Sequence, residues 1–166
     1  MQSHLRYLVI SAMFIALIFL AIFQFSVPNG FGGFIHFGDS LIFVAATLLP
    51  APYSLFVAAL GPGLFNLARG PIWFPFTIVI KPLMALCFSR NGERILGPIR
   101  NRIAPFLAAG INTGLYFLAN MFLFDGWAGG VAALPGLVIQ GVGSIIFFFI
   151  IAFALDMSGA KKRFEL

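Results

Sequence analysis

Trp73, Thr77 and Lys81 stand four residues apart in the apolar stretch W-F-P-F-T-I-V-I-K-P, residues 73–82. In a helix that spacing stacks an indole, a hydroxyl and an ammonium along one face. A lysine at membrane depth costs about 2.5 kcal/mol or more, and it persists there only facing protein or water with a partner. Two readings follow. The three side chains are one wall of a binding pocket, or Lys81 snorkels or neutralises a buried carboxylate for stability. The pocket is the expectation carried forward, because intramembrane ionisable groups are functional by default.

Other polar residues repeat the pattern. Asn112, Tyr116 and Asn120 are four apart, and so are Gln140 and Ser144. Asn66 and Arg69 close an apolar segment just before Trp73. His36 and Asp39 flank the start of another. Asp39 is balanced between a helix cap and a ligand contact, and His36 leans towards loop structure. A metal role for these two is not expected, since no further His or Cys sits nearby. Two cations (Arg69, Lys81), aromatic surfaces (Trp73, Phe76, Tyr116) and several amides would suit a flat, polar heterocycle.

The elements that position them must be membrane helices. The chain is 61% hydrophobic and 9% charged over 166 residues, which fits a polytopic membrane protein and leaves little room for a soluble domain. Helices are expected over about 6–25, 40–49, 53–67, 75–88, 103–124 and 131–156. That makes one all-α domain, residues 1–166, of six transmembrane helices. The first is read as an uncleaved span, not a signal peptide. Gly61-Pro62-Gly63 is expected to interrupt the third helix, and Pro82 to kink the fourth. Residues 26–38 hold glycines, a proline and Phe31, Phe34 and Phe37, which suits a flap over a cavity. Asp125–Gly130 reads as a turn with an interfacial tryptophan. Cys87, the single cysteine, excludes an intrachain disulfide.

Basic residues set the topology. Arg6, the Arg90–Arg102 cluster and Lys161–Arg163 must share one side, and six spans place all three, with both termini, in the cytoplasm. The net charge of +5 therefore reports topology, not nucleic-acid binding. With a rise of about 1.5 Å per residue, the polar stripes converge in the outer half of the bundle, under the Phe-rich flap. Each amide alone could be interhelical glue; their common depth argues for an outward-facing small-molecule site.

On these features the chain resembles the S component, the substrate-binding membrane subunit, of an energy-coupling factor (ECF) vitamin transporter. The matching stretches are Ala12-x-x-x-Ala16, His36-Phe-Gly-Asp39, Asn66-Leu-Ala-Arg-Gly70 and the Thr77…Lys81 segment. The resemblance implies that Ala12 and Ala16 dock on a membrane coupling subunit, which carries two cytoplasmic ATPases. It implies a vitamin held near the outer face, and a subunit that topples in a prokaryotic plasma membrane. The order Met1-Gln2-Ser3-His4 departs from the metal-binding branch, which has histidine next to the initiating methionine. Among vitamin branches the sequence looks closest to those for hydroxymethylpyrimidine or pyridoxine, with riboflavin also in range.

The resulting expectation is a high-affinity vitamin-binding subunit with no enzymatic chemistry and no cofactor of its own. Its partners would hydrolyse ATP, since no Gly-rich loop ends in G-K-[ST]. A stand-alone secondary transporter is the first alternative; it would be expected to use a mid-span carboxylate, and Asp39 and Asp125 are terminal in their helices. A small membrane enzyme is the second, but neither His36 nor His4 has an evident catalytic partner.

Overall fold

A computed structural model describes residues 2–29 and 33–163. Phe31, one of the three flap phenylalanines, lies outside the described residues. Six principal helices follow one another: α1 (Gln2–Phe25), α2 (Asp39–Leu48), α3 (Ala51–Arg69), α4 (Phe74–Ala85), α5 (Ile99–Leu123) and α6 (Trp127–Ser158), with a last turn α7 (Ala160–Arg163). Four of these are long and apolar enough to cross a membrane: α1, α3, α5 and α6. At 10 and 12 residues, α2 and α4 reach about 15 and 18 Å, short of a hydrocarbon core of about 30 Å.

The burial pattern shows why the helices sit as they do. Almost every residue of α2 is buried, including Ile42, Phe43, Val44 and Thr47, so this short helix is the centre of the bundle. On α6 the buried set Ala133, Leu137, Gln140, Ser144, Phe148 and Ala152 recurs every three or four residues. That stripe faces the bundle. Val138, Ile139, Val142, Ile146 and Phe153 cover the opposite, exposed face. The exposed apolar side chains are those a bilayer would cover.

Several boundaries differ from the sequence expectation. The helix α3 is continuous through Gly61-Pro62-Gly63. Each of the three residues serves a different neighbour: Gly61 lets Ile18 of α1 approach, and Gly63 faces Phe74 and Ile78 of α4. Pro62 lines an internal cavity. Trp73 falls in a 3-10 turn, Pro71–Trp73, immediately before α4. The turn before α6 is shorter than expected, because Trp127 already belongs to the helix; the chain reverses at Gly126, whose φ of +55° suits glycine.

The flap contains a small antiparallel hairpin that sequence reading did not anticipate. Strand β1 (Val27–Pro28) pairs with β2 (Phe34–Ile35), with Val27 opposite Ile35 and Pro28 opposite Phe34. Its far side rests on α6. Ile35 sits against Gly136, and the Phe37 ring lies directly on Gly143 and stacks on Phe147 at 5.4 Å. A side chain at position 143 would occupy the place of the Phe37 ring.

At the opposite end, the α4–α5 connection is held by side chains instead of secondary structure. Asn101 takes the Ser89 amide hydrogen and donates to the carbonyls of Ser89 and Ile95, all within 2.8 Å. Arg100 donates to the carbonyls of Leu86 and Cys87 at the end of α4. The Asp156 carboxylate accepts the amide hydrogens of Ile95 and Leu96. Lys161 donates to the Arg90 carbonyl and Arg90 to the Tyr7 hydroxyl. This end thus gathers the start of α1, the arginine-rich connection and the lysines after α6.

Candidate functional site

The cavity lies at the end away from that basic cluster. Its wall includes Asn29, Phe34 and His36 from the flap, Pro62 and Asn66 from α3, and Trp73, Thr77 and Lys81. Tyr116 and Asn120 of α5 and Leu137 and Gln140 of α6 complete it. The spacing of four seen in sequence therefore does put Trp73, Thr77 and Lys81 on one wall. It encloses about 40 Å³, room for a few waters, whereas small-molecule sites run to about 300 Å³ or more. The cavity as it stands is too small for a ring-sized ligand.

Lys81 is not a free cation. Its ammonium donates to both oxygens of Asp39 at 2.7 and 2.8 Å and to the Asn112 side-chain oxygen at 2.8 Å. An ammonium has three N–H donors, so all three are used. Gln140 donates to the second Asp39 oxygen at 2.9 Å. One ion pair, 2% exposed on both sides, thereby joins α2, α4, α5 and α6. Lys81 thus pairs with a buried carboxylate and at the same time lines the cavity.

Asp39 is not a helix cap. Gly38 occupies that position with no side-chain bond, and Asp39 is the first helical residue. It is terminal in its helix yet 1% exposed, because α2 begins inside the bundle. Its position at a helix end therefore does not set it apart from a mid-span acid, the ground on which a secondary transporter was disfavoured.

A second polar cluster crosslinks the walls. The Thr77 hydroxyl accepts from the Asn66 amide and shares a hydrogen bond with the Tyr116 hydroxyl, both at 2.6 Å. Asn120 donates to the Tyr116 carbonyl at 2.8 Å. Trp73 packs between Phe76, Tyr116 and Phe124.

Three atoms of the cavity residues are left without partners among the described residues: the Trp73 indole nitrogen, His36 Nδ1 and the Asn120 side-chain oxygen. Burial of such groups without a hydrogen bond costs about 1–3 kcal/mol each. Together they offer an N–H donor, a carbonyl acceptor and an imidazole nitrogen. Burial pushes the His36 imidazole down to about 4, so near pH 7 it is neutral.

Other expected site residues lie elsewhere. Arg69 is exposed at the end of α3, with its guanidinium 4.3 Å from the Phe23 ring centre, and does not line the cavity. Ser144 is buried one turn beyond Gln140 and also lies outside the cavity wall, without a partner among the described residues. Phe37 rests on α6, and of the described flap phenylalanines only Phe34 reaches the cavity. Sequence reading missed Asn29, Pro62 and Leu137. Leu137 lies one turn before Gln140, and Pro62 sits in a Gly-Pro-Gly run that reads as a helix break but lies within the continuous α3. Ala12 and Ala16 are exposed on α1.

Over residues 2–157 the sequence matches the family model of the ECF-type riboflavin transporter, S component. Comparison with curated proteins gave no match. The family is one of vitamin-transport subunits and not of enzymes, and the match spans nearly the whole chain. With several apolar helices long enough to cross a bilayer, the chain belongs to the S components of ECF-type riboflavin transporters, as a multi-pass protein of the cell membrane.

Proposed function

We propose that this chain captures riboflavin in the cavity beneath the 26–38 flap and passes it to an ATP-driven ECF complex. The single observation that carries the reading is the set of unpartnered polar atoms on Trp73, His36 and Asn120, all in one cavity. A protein interior rarely leaves buried donors and acceptors unpaired, and a heterocycle bearing both kinds of group would satisfy them. Phe34, Trp73 and Tyr116 supply aromatic surfaces for its ring. Riboflavin is favoured over hydroxymethylpyrimidine and pyridoxine because the matched family is described by that vitamin. The small enclosed volume, about 40 Å³, favours the smaller rings as a second reading.

In this account six helices span the membrane, with both termini in the cytoplasm and the basic α4–α5 connection beside them. The short α2 and α4 are accommodated inside the bundle. Ala12 and Ala16 form the contact with a membrane coupling subunit, since small residues let helices approach closely. Two cytoplasmic ATPases on that subunit supply the energy. This chain carries no chemistry and no cofactor.

The test is a calorimetric and thermal-shift panel on the detergent-purified protein with riboflavin, pyridoxine and hydroxymethylpyrimidine. Riboflavin is expected to bind at nanomolar concentration and to raise the melting temperature by mass action. Tight binding of a smaller ring instead would move the assignment to that vitamin. A folded protein that binds none of them would contradict the reading.

A further inference from the structure

We propose that the buried Asp39–Lys81 pair is a positioning device: it fixes the Gln140 amide so that its carbonyl faces the cavity and demands an N–H donor from the ligand ring. The inference rests on the reading of the cavity as the ligand site.

An amide side chain can present either end, and its partners decide which. Gln140 meets Asp39 at 2.9 Å, and an ionised carboxylate can only accept. The amino end of Gln140 must therefore point at Asp39. The carbonyl end is left over on a residue that lines the cavity, and no other hydrogen bond holds it among the described residues. Lys81 keeps Asp39 ionised by giving it two hydrogen bonds, at 2.7 and 2.8 Å.

The same pair sets a second amide in the opposite sense. Ammonium only donates, so the Asn112 oxygen faces Lys81 at 2.8 Å and its amino group is turned away. Lys81 has no N–H to spare for a ligand, and Asp39 does not line the cavity. The pair acts on the ligand only through Gln140, and its residues are positioning residues.

Asn120 presents the same polarity, since its amino group is taken by the Tyr116 carbonyl at 2.8 Å. The cavity thus offers two carbonyl acceptors, Gln140 and Asn120, beside the Trp73 N–H donor and the His36 imidazole nitrogen. The matching ligand edge carries an N–H beside a carbonyl, as in the imide of a flavin ring. A ring offering acceptors alone would meet carbonyl oxygen against its own lone pairs.

The experiment compares riboflavin with N3-methylriboflavin, which lacks the ring N–H. In the wild type, methylation is expected to weaken binding roughly ten- to a hundredfold. In Asp39→Asn/Lys81→Met both charges are gone, and residue 39 can either donate or accept. The two ligands should then bind within about threefold of each other, chiefly through weaker riboflavin binding. Gln140→Met should give the same collapse with the ion pair intact. A ratio that stays at the wild-type value in either variant overturns the proposal, even though riboflavin binding itself stands.

A ligand-free measurement keeps the two readings separate. By NMR, the Gln140 side-chain N–H, assigned by its loss in Gln140→Met, should be protected from exchange and shifted downfield. Asp39→Asn should remove that shift. A Gln140 amide that exchanges freely in the wild type would overturn the proposal whether or not riboflavin binds.

Discussion

The two ends of the bundle treat buried polar groups in opposite ways. At the basic end, Asn101, Arg100, Asp156 and Lys161 find a backbone partner for the irregular α4–α5 connection at almost every turn. At the cavity end, Trp73, His36 and Asn120 leave a nitrogen or an oxygen unpaired. Both ends have buried polar side chains, so polarity alone does not separate them. Saturation does. A closed hydrogen-bond set holds a loop in place, and an open one is what a ligand can complete.

The Asp39–Lys81 pair is where the two kinds meet, and breaking it should give the largest effect. Lys81→Met leaves a buried carboxylate without its counter-charge. It is expected to cost about 3–5 kcal/mol, read as a large fall in melting temperature. Asp39→Leu/Lys81→Met removes both charges and should recover most of that loss. A single variant as stable as the wild type would show that the pair is not a strut.

Asn101→Ala tests the saturated end. It orphans the Ser89 amide and the carbonyls of Ser89 and Ile95, at an expected cost of about 2–4 kcal/mol. Riboflavin affinity in the folded fraction should not change. A specific loss of affinity would mean that the two ends are coupled.

The flap gives a pH signature. The His36 imidazole titrates at its ordinary 6.5 in the unfolded chain and at about 4 when buried. Between those values the unfolded chain binds more protons, so stability falls as the pH is lowered through that window and is unaffected above it. Full protonation of the unfolded chain would cost about 3 kcal/mol. Asp39 and Lys81 lie nearby, so the comparison is made against His36→Gln. That variant should lose less stability than the wild type between pH 6.5 and 4. Equal pH profiles would remove His36 as the cause.

The smallest effect on stability is expected at α1. Ala12 and Ala16 are exposed, so Ala12→Leu/Ala16→Leu should leave the melting temperature and ligand binding within error. Uptake with the coupling subunits should be lost. Unchanged uptake would move the docking surface elsewhere.

Much of the cavity end was legible in the sequence because helical spacing is local. Residues four apart share a face, and Trp73, Thr77 and Lys81 do line one wall. Tyr116 and Asn120 follow the same rule, with Asn112 one turn deeper against Lys81. Asp39 was harder. Its partners Lys81 and Gln140 lie 42 and 101 residues away, and nothing local marks α2 as the central helix. The position of Arg69 misled because a long guanidinium at the last turn of a helix reaches outward, here to Phe23. The hairpin at 27–35 has strands of two residues, too short for an alternating pattern to register. Asn101 and Asp156 gave no signal, since their partners are backbone groups of a connection whose path only the fold defines.

The central claim is that open polar atoms mark the ligand side, and Trp73→Phe tests it most directly. The change removes the unpartnered indole N–H and keeps an aromatic ring against Tyr116. Riboflavin would be titrated into this variant and the wild type, with both melting curves recorded. The account predicts an unimpaired fold and affinity weaker by roughly ten- to a hundredfold, the worth of one buried hydrogen bond to a ligand. Equal affinity in the two proteins would contradict it.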